Sequence, residues 1–236
     1  MPFKREELVK SYKDNISAYE KLTETMENLL SRIVDRENSE CAFPISARTK
    51  SIFSFLEKVD RKKYKDPFAE MTDLTGLRII LHSEDDMNFV KEVIHERFKV
   101  DAERSIDKKE QLGKNQFGYS GINYVVSLQG DDPLLAEYVE FKGKFFEIQI
   151  LTLCQFVWSE MQRKIEYKAE DLVSRMISRR LAMLCALFEL ADIEFRYLLE
   201  KGVEELLRLP IALRSLRIYI EKSKNVKEAF SEALKN

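Results

Sequence analysis

The sequence predicts an α+β fold: a small mixed β-sheet of about four to five strands flanked by helices, with a helical C-terminal third. Three observations predict it. Seven glycines and five prolines punctuate 236 residues, so the regular elements must be long. Residues 5–35 carry apolar side chains at helical spacing (Leu8, Tyr12, Ile16, Tyr19, Leu22, Met26, Leu29, Leu30, Ile33), the mark of a long amphipathic helix. Phe146, Ile148 and Ile150 alternate with Glu147 and Gln149, the period of a strand with two unlike faces.

The other elements follow in order. After the first helix, a polar loop with Pro44 leads to a helix over about Ser51 to Tyr64. Leu77 to Leu81 is a continuous apolar run and reads as a buried strand. Ser83 is placed to cap a helix running to Phe98, with the acids at 84–86 favoured by its N-terminal dipole. Strands are expected near 98–106, 121–129 and 143–151. From Thr152, an N-cap candidate, nearly everything is expected to be helical, with a break at Pro210. No internal repeat or low-complexity linker interrupts the chain. Residues 1–200 read as one domain that includes the first helix, and 201–236 as a helical extension.

Composition sets bounds on function. A chain of this length buries roughly 70–75% of the surface its unfolded form exposes, so it needs no staples. Its 44% hydrophobic and 34% charged residues are ordinary for a soluble globular protein. A net charge of −2 gives no global pull toward nucleic acid or membrane, so any basic site must be local. Cys41, Cys154 and Cys185 lie far apart, without a CxxC pair, which fits a reducing cytosol better than a disulfide framework. The N-terminus lacks an apolar h-region and no stretch approaches 18 apolar residues, so a cytoplasmic protein is expected. With only His82 and His95, a histidine-based metal hydrolase is not expected. The GxxxxGK[ST], GxSxG and strand-following GxGxxG patterns are also absent.

Four segments can carry chemistry. In ARTKSIFSFLEKV, a helix starting near Arg48 would put Lys50, Ser54 and Lys58 on one face, a ladder suited to a polyphosphate. A solvated helix face accounts for the same pattern taken alone. Asp73 precedes the apolar run of DLTGLRIIL, at a strand end where metal-binding carboxylates are often found. Arg78 interrupts that run, so its charge must reach solvent, a partner or a ligand. Glu147 and Gln149 share one sheet face, and Glu147 with Asp73 would make the pair of carboxylates that suits one Mg²⁺. Gly118 and Tyr119 end a polar loop, where the ring could stack on a nucleobase or simply pack.

RxKSxxSxxxK, DLTGLR, FGY…YVVSL and FEIQI…W…YK, in this order from about Arg48 to Lys168, resemble the synthetase domain of the RelA/SpoT family. The resemblance implies a nucleotidyltransferase-like fold and Mg²⁺-dependent transfer of the β,γ-pyrophosphate of ATP to the 3′-hydroxyl of GDP or GTP, which makes the alarmone (p)ppGpp. It implies that Arg48 and Arg78 sandwich the adenine of ATP while Lys50, Ser54 and Lys58 hold its phosphates. Asp73 and Glu147 would bind Mg²⁺, with Glu147 also the base for the attacking hydroxyl and Gln149 its support. Tyr119 would stack on the acceptor base.

Departures from the family pattern gather on the acceptor side. Ser120 and Asn123 stand where arginine and histidine are usual, Leu151 where arginine is usual, and Phe156 where many members carry asparagine or histidine near the guanine. Gln162 and Arg163 replace a frequent Glu-His pair. The resemblance therefore admits a second outcome, a toxin-like relative that modifies the 3′ end of tRNA or an adenine nucleotide and is paired with an antitoxin. A third is a relative that binds nucleotide without catalysis. Arg208, Arg214, Arg217, Lys222 and Lys224 could supply a basic patch for tRNA. By layout a stand-alone synthetase is expected, with the C-terminal helices either joining copies into a homo-oligomer or closing the domain's own core.

Overall fold

The computed structural model describes residues 4–38, 41–111, 118, 121–128, 141, 143–168 and 175–208. The first helix, α1 (Arg5–Asn38), follows its apolar stripe along two different partners. Leu22, Met26, Leu29, Leu30 and Ile33 lie in the main core against the sheet. Leu8 and Tyr12 enter a second cluster with Phe55, Val59, Met71 and Leu74. One helix thus joins the sheet to the segment that follows it.

That segment differs from the sequence expectation. The polar stretch after Pro44 forms a four-residue strand, β1 (Ser46–Thr49), and Arg48 sits on it rather than at the entry of a helix. Helix α2 spans Ile52–Lys62, with Ser51 as N-cap accepting a hydrogen bond from the Ser54 N–H. Lys50 therefore precedes the helix and does not share a helical stripe with Ser54 and Lys58. Lys63 ends α2 in the left-handed region (φ 52°), its N–H donating to the Val59 carbonyl. A short helix, α3 (Pro67–Glu70), starts with proline after an Asp66 cap and leads into β2 (Thr75–Leu81).

Helix α4 (Glu84–Arg97) opens on a capping box between Ser83 and Asp86. The strand expected over 98–106 is two short strands, β3 (Phe98–Val100) and β4 (Ile106–Asp107). A tight turn separates them: the Asp101 carboxylate accepts from both the N–H and the side chain of Arg104, and the Ser105 N–H donates to the Asp101 carbonyl. After α5 (Lys108–Gln111) come β5 (Ile122–Leu128), β6 (Phe146–Thr152), α6 (Leu153–Lys168) and α7 (Arg175–Arg208). Thr152 does cap α6. Its hydroxyl accepts from the Gln155 N–H, and the Gln155 side chain accepts from the Thr152 N–H.

The six strands form one mixed sheet in the order β1-β2-β6-β5-β3, with β4 also on β5. Only β2 and β6 pair in parallel; the other pairs are antiparallel. One face carries Leu77, Ile79, Leu81, Ile148 and Ile150, all at most 2% exposed and packed with α1 and α4 residues. The chain divides into two compact units, residues 1–192 with the sheet and residues 193–236. In the second unit the described part is the end of α7, where Ile193, Phe195, Tyr197, Leu198 and Leu199 are about half exposed or more. Pro210 and the basic residues from Arg214 onward lie outside the described residues, as do the side chains of 203–208.

Candidate active site

The opposite sheet face is polar, and register explains its layout. Arg48, Gly76 and Glu147 are direct partners across β1, β2 and β6. One step along, Ser46, Arg78, Gln149 and Asn123 are partners across four strands. Residues opposite each other on paired strands share a face, so these two rows stand side by side. At Gly76 the absent side chain leaves a gap between Arg48 and Glu147; a Cβ there would meet its nearest atom, the Arg48 carbonyl oxygen, only at 4.0 Å. Ser46, Arg48, Gly76, Arg78, Glu147 and Gln149 of these rows line a cleft of about 290 Å³, walled on one side by α6.

At one end of the cleft Asp73 receives two ammonium groups on a single oxygen. Lys50 Nζ lies 2.7 Å and Lys58 Nζ 2.9 Å from Asp73 Oδ2. The three side chains are only 11–20% exposed. Burial works against the Asp73 charge, but the hydrogen bonds and charges of Lys50 and then Lys58 prevail, so the carboxyl is held below its usual range. Asp73 Oδ1 is buried and, among the described residues, has no hydrogen-bond partner. A buried carboxylate oxygen without a partner is costly unless something binds it.

The backbone around Lys50 is fixed by local chemistry. Its N–H donates to the Leu74 carbonyl (2.9 Å), and the Tyr12 hydroxyl donates to the Lys50 carbonyl. Next to it, the Thr23 hydroxyl on α1 lies 2.8 Å from that of Thr49 and 3.1 Å from that of Thr75. A buried helix hydroxyl thus ties the ends of β1 and β2 together beside the site.

Glu147 has the opposite electrostatics. Burial first, and the Asp73 charge second, push its carboxyl above the usual range, against the pull of Lys58, Lys50 and Arg48. Two neighbouring carboxylates are thereby separated in proton affinity, one lowered and one raised. Among the described residues there is no cluster of three or more metal-ligating side chains. Asp73 and Glu147, with one carboxylate oxygen unsatisfied, still fit a Mg²⁺ whose remaining ligands are phosphate oxygens and water.

The other end is organised around Arg78. Its Nε donates to Gln149 Oε1 (2.7 Å) and its Nη1 to Glu160 Oε1 (3.2 Å). Its guanidinium carbon lies over the Phe156 ring, 5.1 Å from the centroid. Arg163 reaches the same Glu160 oxygen. Burial opposes the Glu160 charge, yet Arg163 and then Arg78 hold this carboxyl below its usual range.

The structure brings Arg48, Asp73, Arg78, Glu147, Gln149 and Phe156 to the cleft, with Lys50 and Lys58 joined to it through Asp73. Ser54 instead faces the Ser51 cap, hydroxyl to hydroxyl at 3.1 Å. Asn123 lies across from Gln149 on β5. Tyr119 lies outside the described residues. Glu160 and Arg163 line the cleft, the first not a sequence candidate and the second noted only as a departure from the family pattern, as does Ser46, also not a candidate. The spacing of 156, 160 and 163 along one helix face was the signal for the first two. The thiols are inert structural groups: burial pushes Cys41 and Cys185 up to about 11 and Cys154 up to about 12.

A family model described as the region found in RelA / SpoT proteins matches residues 47–171. The GTP pyrophosphokinase YjbM of Bacillus subtilis (strain 168) is 31% identical over 143 residues, which cover 58% of this chain and 62% of that protein. The match therefore spans less than two thirds of the relative's length. The crystal structure of small alarmone synthetase 1 from Bacillus subtilis superposes with a TM-score of 0.67 at 23% identity, covering 83% of this chain and 99% of that one. The same synthetase bound to its product pppGpp gives a TM-score of 0.65 at 23% identity, over 81% of this chain and 98% of that one. The fold is that of the small alarmone synthetases.

Proposed function

This chain belongs to the RelA/SpoT family, and from that premise we propose that it transfers the β,γ-pyrophosphate of ATP to the 3′-hydroxyl of GDP or GTP. The observation that carries the reading is the Lys50–Asp73–Lys58 cluster beside Glu147. It joins fixed positive charge to an unsatisfied carboxylate oxygen and to a second carboxylate poised for a proton. The cleft and its end hold five cations (Arg48, Lys50, Lys58, Arg78, Arg163) against three carboxylates, although the whole chain carries −2. A local positive excess of this kind suits a polyphosphate. The acceptor assignment draws on the name of the 31% identical relative.

The chemistry needs one displacement. The acceptor 3′-oxygen forms a bond to the β-phosphorus, the bond from the bridging α–β oxygen to that phosphorus breaks, and AMP leaves. The hydroxyl proton goes to Glu147, whose affinity for protons burial raises above that of an ordinary glutamate, as suits a base. Lys50 and Lys58 balance charge on the transferred group, and Arg48 and Arg78 hold the adenine. Mg²⁺, held by Asp73 and Glu147, would polarise the phosphate oxygens when bound. No described helix is long and apolar enough to cross a membrane, and we place the reaction in the cytoplasm.

The test supplies the purified chain with Mg²⁺ and γ-labelled ATP, and offers GDP, GTP, adenine nucleotides and deacylated tRNA in parallel. Label on GDP or GTP, with one AMP released per transfer, is expected. Label on tRNA or an adenine nucleotide alone would replace the acceptor and keep the donor chemistry. No transfer to any acceptor would overturn the activity.

A further inference from the structure

Helix α6 sets Phe156, Glu160 and Arg163 at spacings of four and three, so they project from one side, and all three line the cleft. They converge on one side chain. The Phe156 ring lies beneath the Arg78 guanidinium, 5.1 Å from ring centroid to central carbon. Glu160 accepts from Arg78 Nη1 at 3.2 Å, and Gln149 on the sheet accepts from Nε at 2.7 Å. Arg163 donates to the same Glu160 oxygen that Arg78 reaches. Arginine is a flexible side chain with a planar head, and its value as a stacking surface depends on how well that plane is fixed. Here the guanidinium lies over an aromatic ring, two of its nitrogens are hydrogen-bonded, and the group lines the cleft, where it offers a cationic surface for stacking.

We propose that Phe156 and Glu160 are positioning residues for the donor base, holding the plane of Arg78 so that the adenine of ATP stacks on it. The inference rests on the donor assignment above. It takes Phe156 out of the acceptor pocket, to which its place in the family pattern would assign it. A phenyl ring backing Arg78 has no polar atom with which to read an acceptor base. The substitution therefore strengthens one nucleotide subsite while removing a contact from the other.

Stacking acts on the base and not on the phosphates, which gives a readout that simple loss of packing would not produce. Calorimetry compares Mg²⁺-ATP with inorganic tripolyphosphate on the full chain and on Phe156→Ala, Phe156→Leu and Glu160→Gln. The leucine variant keeps apolar bulk should the alanine variant fail to fold. Both Phe156 variants are expected to weaken ATP by about tenfold with tripolyphosphate unchanged. Glu160→Gln, which keeps the shape and loses the charge, should narrow the preference for ATP over tripolyphosphate about threefold. An equal fall for both ligands, an unchanged ATP affinity, or a rise in KM confined to the acceptor would overturn the proposal. If the unmodified chain bound tripolyphosphate but showed no preference for ATP, the donor assignment itself would fall, a result distinct from the others.

Discussion

The two faces of the central β2–β6 pair are built by opposite rules, although the same residues alternate between them. On one face Leu77, Ile79, Leu81, Ile148 and Ile150 are almost fully buried and meet the apolar stripes of α1 and α4. On the other, Gly76, Arg78, Glu147 and Gln149 keep partial contact with water, and Arg78 is held by Gln149 and by Glu160 of α6. The first face stabilises the fold by removing apolar area from water. The second holds Glu147 in a site that disfavours its charge, so it stores chemical readiness at some expense of stability. Substitutions on the two faces should therefore fail in different measurements.

The largest expected change in stability lies on the core face. Ile148→Ala should lower the free energy of unfolding by about 3 kcal/mol, read from urea denaturation, while pyrophosphate transfer per folded molecule is kept at low temperature. Loss of activity without loss of stability would erase the contrast. Asp73→Asn, at the edge of the polar face, should cost about 2 kcal/mol because Lys50 and Lys58 lose their common carboxylate. It should also abolish transfer.

Titration sharpens the contrast. The rate at low substrate should rise with pH through the proton affinity of Glu147, with a midpoint above the 4.5 of an ordinary glutamate. Asp73, held below its usual range, contributes no acid limb there. The smallest effect is thermal. Because the folded-state pKa of Glu147 is raised, the folded chain binds this proton more tightly than the unfolded chain does. Stability from this group therefore falls as pH rises from the unfolded value through the folded one. Glu147→Gln should melt above the parent at pH 7, and the difference should vanish in acid, below the unfolded value.

Much of this was legible in the sequence because periodicity reports burial. The stripe along α1, the Ser83 cap, the apolar run of β2 and the alternation in β6 each follow from which groups must leave water. Strand β1 was not legible. Ser46–Thr49 has no apolar alternation of its own and is a strand because β2 offers it an edge. That hid the position of Arg48 and made Lys50 read as part of the helix it precedes. The division of 98–106 into β3 and β4 depends on the Asp101–Arg104 turn, a side-chain contact that a windowed pattern cannot register. Glu160 was hidden for a related reason. A glutamate on a helix reads as a solvated face until its partner Arg78, from a strand 82 positions away, is brought beside it.

The most direct measurement follows label transfer from γ-labelled ATP by Glu147→Gln at pH 7, with ATP binding checked in the same sample. If the raised carboxyl of Glu147 is the base, ATP should still bind and transfer should fall about a thousandfold. Transfer near the rate of the unsubstituted chain would contradict the account, leaving the polar face a binding surface whose chemistry lies elsewhere.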